Sequence, residues 1–232
     1  MSVAGAAAAS SARRRPAALG LTSVLAVCAH PDDESFGLGA VLDALADDGA
    51  TVAVLSFTRG ESSTLGAGEV GDLGAVRALE LQAAADVLGV AHVDLLDLPD
   101  GGLNDVALEH LRDEVVLRAR RWDVDALLAF DLGGVTGHPD HHRATEAALA
   151  AAQRLQVPVL LWAIPDTAAA VLNDELGTAF RGRRRDEVDV VLAVDRSRQR
   201  LAIAAHTTQA TDNPVLWRRL QLLGDEEWLR WA

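Results

Sequence analysis

The stretch Ala29-His30-Pro31-Asp32-Asp33-Glu34-Ser35 places one imidazole and three carboxylates within five positions. Carboxylates this close repel one another unless water or a cation screens them. A solvated turn does that, and so does a divalent metal. A second dense cluster, His138, Asp140, His141 and His142, follows more than one hundred residues later. Neutral imidazole and carboxylate are the usual non-thiolate ligands of zinc, and a catalytic site takes three protein ligands and leaves a position for water. Two histidines and one carboxylate with open positions also suit Fe(II). Bound to such a site, a metal lowers the pKa of water to about 7 and polarises a carbonyl. Cys28, the one cysteine, cannot build a thiolate zinc site alone.

The elements that must position these clusters follow from patterning. Short apolar runs at 23–29, 51–57, 92–98, 126–130, 158–164 and 188–194 read as strands. They alternate with helical periodicity near 36–48, 75–88, 104–121, 141–155, 196–208 and 213–223. Such alternation predicts an α/β fold, a Rossmann-like, mostly parallel sheet with helices on both faces. The first cluster then follows the first strand, FTRGES (57–62) follows the second, and the stretch 130–143 follows the fourth. Ligand sites of open α/β sheets gather at the carboxyl ends of strands, so the active site is expected there.

Half of the 232 residues are hydrophobic, enough for one domain, expected over 21–232. Residues 1–20 read as a disordered tail, because their arginines follow the apolar run where a signal peptide has charges before it. No run approaches the ~18 apolar residues of a membrane span. With a single cysteine, the chain has no internal disulfide and suits a reducing compartment, so a cytoplasmic protein is expected. The net charge of -13 argues against sequence-independent binding to nucleic acid or an anionic membrane. All 21 basic residues are arginines, so Schiff-base chemistry and a P-loop lysine are excluded, and the absence of tyrosine removes any phenol acid. The expected partner is a small molecule.

AHPDDESFGLGA, TRGE, the helix beginning near VRALELQAAADVLGV, LPDGG and GHPDHH, in that order, resemble the LmbE-like (PIG-L) family of zinc-dependent N-acetylglucosaminyl deacetylases. The likeness runs from about residue 23 to 150, and more loosely to AAHTTQ near 209. It implies metal-dependent hydrolysis of the N-acetyl group of an amino-sugar conjugate or a similar small N-acyl compound. Carried over by position, it implies His30, Asp33 and His141 as metal ligands, Asp32 as general base, and His138 as the group that assists the tetrahedral intermediate. Asp140 would orient His138 by accepting from a ring nitrogen. Zn²⁺ is the implied cofactor, with Fe²⁺ or another divalent ion as the alternative.

An amide is a poor electrophile with a poor leaving group. Asp32 would take a proton from the attacking water and return it to the departing amine, and His138 would stabilise the oxyanion. Arg59, Arg77 and Asp100, with Glu61, fall where the family meets its substrate; Arg77 would clamp hydroxyl or phosphate groups and Asp100 sugar hydroxyls. Some relatives carry a tyrosine two residues before the first histidine of HPDH, where this chain has Thr136.

Other residues read as support. His142 lies about 100° around its helix from His141, a surface or outer-layer position. Glu34 is expected to favour a helix N-terminus, and Cys28 to be a packed core thiol. The glycine-rich loop 61–74 has the makings of a lid, and Arg181–Arg185 of a solvated loop or a phosphate contact. The rival readings are a non-catalytic sugar or metabolite binding module, which has no use for a spare proton acceptor, and phosphoester hydrolysis, which lacks a second set of metal carboxylates.

Overall fold

The computed structural model describes residues 19–65, 71–133 and 135–232. The expected tail lies outside the described residues except for its last two positions, as does the middle of the glycine-rich loop. The sheet is built on β1 (Ser23–Cys28), which pairs in parallel with β2 (Thr51–Thr58) on one side and β4 (Ala126–Phe130) on the other. Next to β2 lies β3 (His92–Leu98), and next to β4 lies β5 (Val159–Ala163), again parallel. Continuous apolar strands such as β1 and β4 require cover on both faces, and alternate residues divide between two cores. Val24, Ala26 and Cys28 pack on one face under α2 (Gly39–Asp47) and α3 (Leu73–Leu88). Leu25, Val27 and Ala29 pack on the other under α4 (Leu108–Arg121) and α5 (Pro139–Leu155).

Sequence order reverses beside β1. The chain runs outward to β2 and β3, then crosses back to β4 on the opposite side, so the order is β3-β2-β1-β4-β5-β7-β6. The loops leaving β1 and β4 therefore diverge at a topological switch point and frame a crevice. Both histidine-aspartate clusters sit there.

Four differences from the sequence reading stand out. The helix expected over 36–48 is two: α1 (Asp33–Phe36) and α2, broken where the Phe130 ring fills the space of a Cβ on Gly37, 2.5 Å away. An unforeseen helix, α6 (Asp166–Leu176), follows β5, and β6 (Val190–Ala193) comes after it. The helix expected over 196–208 is α7 (Ser197–Ala205) and α8 (Thr207–Ala210), hinged at His206. After α9 (Pro214–Leu223) comes an unforeseen strand, β7 (Glu226–Trp231), which inserts antiparallel between β5 and β6. No helix among the described residues is long and apolar enough to cross a membrane.

Leu127 in β4 is fully buried, whereas Leu79 on α3 is 74 % exposed. Leu127→Ala is expected to lower unfolding free energy by about 2–5 kcal/mol, and Leu79→Ala by no more than about 0.5 kcal/mol, both read by urea denaturation.

Candidate metal centre and its cleft

At the end of β1 the backbone folds around one carboxylate. Asp33 Oδ2 accepts the amides of Ala29 and His30, each at 3.0 Å, which closes the turn and starts α1. Asp32, at the crest, has φ 127° and ψ -26°, a backbone region costly for a side-chain-bearing residue, of order 1–3 kcal/mol. Its neighbours hold it there. Glu34 Oε2 accepts the Asp32 amide at 2.9 Å. Arg77, buried on α3, donates from Nη2 to Asp32 Oδ2 at 2.9 Å and to the Pro31 carbonyl, and from Nη1 to the Gly60 carbonyl at 2.6 Å. Gly60 has φ +65°, and a Cβ there would stand 2.0 Å from Arg77 Nη1, so this close approach needs glycine. Asp32 Oδ1 has no protein partner among the described residues and opens on the cleft.

The second cluster is set by the start of α5. Pro139 occupies the first helical turn, and the His138 ring caps it by accepting the Asp140 amide at Nδ1, 3.2 Å. Asp140 and His141 then turn inward. His141 Nε2 lies 3.0 Å from Asp33 Oδ1 and 3.2 Å from His30 Nδ1, and His30 Nδ1 lies 3.9 Å from Asp33 Oδ2. Tetrahedral zinc bonded to such atoms at 2.0–2.1 Å needs donors about 3.3 Å apart. Two imidazole nitrogens facing each other at 3.2 Å require a proton or a cation between them. The donor set thus fits a divalent ion.

The far sides of both rings are also held. Thr136 Oγ1 lies 2.7 Å from His141 Nδ1, and His30 Nε2 faces Asp100 Oδ1 at 3.0 Å and Asp140 Oδ2 at 3.4 Å. Acceptors behind a ligating imidazole fix its tautomer and orientation. Among the described residues, the groups of three whose donor atoms all lie within 4.8 Å of one another are His30, His138 and His141, and His30, Asp100 and Asp140, whereas His141 and His30 approach different oxygens of Asp33.

Charge follows this arrangement. Burial alone would raise Asp33, but His141 and His30 hold its carboxyl well below the ordinary range. Burial pushes the Asp32 carboxyl up to about 6, against the pull of Arg77. Burial would depress His30, yet Asp100 and Asp140 push it up to about 10. His138 moves down, through burial and the nearby His30 and His141.

Several expected contacts are redirected. The Asp140 carboxylate does not orient His138. It accepts the amides of Gly101 at 2.8 Å and Leu103 at 3.2 Å and faces His30, while only its backbone amide meets the His138 ring. Asp100 likewise turns to His30, its other oxygen accepting the Ser62 amide at 2.8 Å. Arg77 lines the cleft, but its guanidinium is occupied by Asp32 and two carbonyls. Arg59 is not brought to the cleft wall: its Nε donates to Asp97 at 2.8 Å on the surface. Glu61 Oε1 accepts the Asp100 amide at 3.1 Å.

Glu34, expected only to favour a helix end, is fully buried. Its Oε1 takes the Ser35 hydroxyl and His206 Nε2, each at 2.6 Å. This Glu34–His206 pair, separated by 172 positions, left no local signal in the sequence. Cys28 is a core thiol, its pKa raised by burial. His142 is at the surface, 3.5 Å from Glu146. In the 181–185 run, Arg183 pairs with Asp131 and Arg184 with Asp186 at 3.0 Å.

A cleft of about 420 Å³ lies over these groups, walled further by Phe36, Ser63, Leu65, Phe130, Asn213 and Arg219. A doubly wound sheet with a histidine-aspartate centre at its switch point defines the class of α/β enzymes with a metal-type site. The chain belongs to the PIG-L family, described as GlcNAc-PI de-N-acetylase, whose model matches residues 25–153. It is 34 % identical over 199 residues to a 1D-myo-inositol 2-acetamido-2-deoxy-alpha-D-glucopyranoside deacetylase of Corynebacterium glutamicum, covering 75 % of this chain and 67 % of that protein. Among solved structures it is similar to the A40926 pseudoaglycone deacetylase Dbv21 (TM-score 0.71, 23 % identity, 91 % of this chain and 96 % of that one). It is also similar to the 4-carboxy-2-hydroxymuconate hydratase GalB from Pseudomonas putida (TM-score 0.69, 18 % identity, 91 % and 96 %). A fold shared by a deacetylase and a hydratase does not select the reaction; the site must.

His206 supplies a pH test of the buried layer. Burial would lower its pKa, but the Glu34 carboxylate outweighs this and raises it above the ordinary 6.5. A raised folded pKa stabilises fully below the unfolded value and loses that contribution as pH climbs through the folded one. The stability advantage of wild type over His206→Gln, read by urea unfolding, is therefore expected to be greatest below pH 6.5 and to shrink above it. An advantage that grows with pH would contradict this pairing.

Proposed function

We propose that this protein is a metal-dependent N-deacetylase that hydrolyses the acetamide of an N-acetylated amino-sugar conjugate, such as an N-acetylglucosaminyl inositol. The observation that carries this reading is the convergence of His30 Nδ1, His141 Nε2 and the Asp33 carboxylate beside a carboxylate, Asp32, that is not needed to complete the set. Those three residues would hold the ion, zinc in the first instance and Fe(II) as the alternative. The alternative sets with His138 or with Asp100 and Asp140 are less apt, because His138 Nδ1 already caps α5 and both Asp140 oxygens accept backbone amides, whereas Asp33 keeps Oδ1 free of them. When bound, the ion lowers the pKa of water and polarises the acyl carbonyl.

The chain's own groups do the rest. Arg77 fixes one oxygen of Asp32 and Glu34 fixes its amide, so Oδ1 is left to accept a proton from the attacking water and to pass it to the amine nitrogen as the C–N bond breaks. Because His138 Nδ1 accepts the Asp140 amide, the neutral ring carries its proton on Nε2 and can donate it to the developing oxyanion. Thr136, in place of a tyrosine, backs His141 and leaves oxyanion stabilisation to His138 and the ion. A small-molecule substrate fits the cleft volume, and the acidic net charge disfavours nucleic acid. The lone buried thiol supports a cytoplasmic, reducing setting.

Acetate release from N-acetylglucosaminyl inositol and from N-acetylglucosamine is the direct assay. Dialysis against a chelator is expected to abolish it and zinc to restore it; full turnover in verified metal-free protein would end this reading. Asp32→Asn should retain the metal, measured by elemental analysis, and lose about 10²–10⁴-fold in kcat, whereas His141→Ala should lose both metal and turnover. Wild-type rates in Asp32→Asn would remove the assigned base.

A further inference from the structure

Four arginines are buried among the described residues: Arg77, Arg118, Arg196 and Arg219. Three have carboxylate partners, namely Asp32 for Arg77, Asp94 and Glu114 for Arg118, and Glu227 for Arg196. Arg219 has none. It projects from α9 and is 5 % exposed, with Nη2 donating to the Phe36 carbonyl at 2.7 Å and its guanidinium carbon 5.5 Å above the Trp162 ring. Its Nε, like those of Arg77 and Arg118, is buried without a hydrogen-bond partner, and the side chain lines the cleft.

The carboxylates whose charge reaches it are Glu227, Asp33 and Asp32, and none of them bonds to it. Both Glu227 oxygens are taken, one by Arg196 and the other by Trp162 Nε1 at 2.6 Å. Asp33 is held by His141 and by two backbone amides. A guanidinium offers five donors and stays charged; burial pulls Arg219 down to about 10, which leaves it protonated at neutral pH. Burying an unpaired charge is costly, and replacing it with an apolar side chain is often neutral or stabilising. A fold that keeps such a cation in the wall of a cleft rich in carboxylates retains it against stability, a pattern found at functional positions.

Arg219 is hydrogen-bonded to none of the proposed metal ligands among the described residues. The Phe130 ring is 4.9 Å from the His141 ring and 5.0 Å from Trp162, so His141 and the guanidinium meet different rings of one aromatic cluster. The cation faces the cleft beside Phe36 and Trp162.

We propose that Arg219 forms an anion subsite in the cleft, selecting N-acetylated sugars that carry a carboxylate or phosphate away from the scissile amide. The substrate class rests on the deacetylase reading; the anion preference does not. The test is calorimetric binding of N-acetylglucosamine, N-acetylglucosamine 6-phosphate and N-acetylmuramate to zinc-loaded wild type, Arg219→Met and Arg219→Lys, with acetate release measured alongside. Wild type should bind at least one anionic sugar about tenfold or more tightly than the neutral one, with the phosphate and carboxylate compounds telling which oxyanion is preferred. Arg219→Met should bring that ratio close to one and melt no lower than wild type, and Arg219→Lys should keep part of it. Equal binding of all three sugars by wild type would overturn the proposal. So would a preference that survives in Arg219→Met while its melting temperature falls, which would make the arginine a structural brace. Absence of acetate release with the binding preference intact would count against the deacetylase reading alone.

Discussion

The centre depends on the Asp33 carboxylate meeting two parts of the chain at once. One oxygen closes the turn after β1 through two amides, and the other reaches His141 at the start of α5. A single side chain thus ties the loops on either side of the switch point. Since β1 and β4 are adjacent in the sheet, register alone brings the loops near, and Asp33 converts proximity into alignment. The same carboxylate cannot also move protons freely, because both of its oxygens are engaged. That division gives physical sense to two adjacent aspartates: one is pinned by the fold, and the other projects from a strained backbone with an oxygen to spare.

Strain at Asp32 is offset behind the cleft. Arg77 grips the crest from α3, and Glu34 grips it from within α1, itself backed by His206 at the α7–α8 hinge. Polar networks of this kind stabilise only when nearly every member is satisfied, since a lone buried charge is costly. Here helices distant in sequence are joined to the same turn, so its geometry is set by the folded core and not by the local chain. Precision of this order is what an active site needs from its supports.

How much was legible in the sequence follows from the range of each interaction. The apolar runs gave six strands in place, and the two HPD segments fell at strand ends because spacing along the chain carries that information. The set His30, Asp33 and His141 was implied by the likeness to the PIG-L family, since spacing alone does not choose among His138, Asp140, His141 and His142. The partner of Asp140 was not: whether its carboxylate serves His138 or His30 depends on where the loop carrying Gly101 and Leu103 comes to rest, and no local pattern encodes that. Glu34 and His206 were opaque on similar grounds. Strand β7 was missed because Glu226, Glu227 and Arg230 interrupt its apolar pattern, although Glu227 is fully buried against Arg196. Helix α6 was missed although Ala168, Ala169 and Leu172 form a buried face, because two of those three residues are small alanines.

The insertion of β7 has a consequence for how the molecule is assembled. Strand β6 touches the sheet only through β7, which lies between it and β5. Until Glu226–Trp231 has left the ribosome, Val190–Ala193 has no edge to join, and β5 exposes an unpaired margin. Closure of that side is thus a late event, and unpaired strand margins are the surfaces on which nascent chains aggregate. The five parallel strands β1–β5 are complete well before then, but the turn after β1 gains its His206 brace only once α7 and α8 are in place.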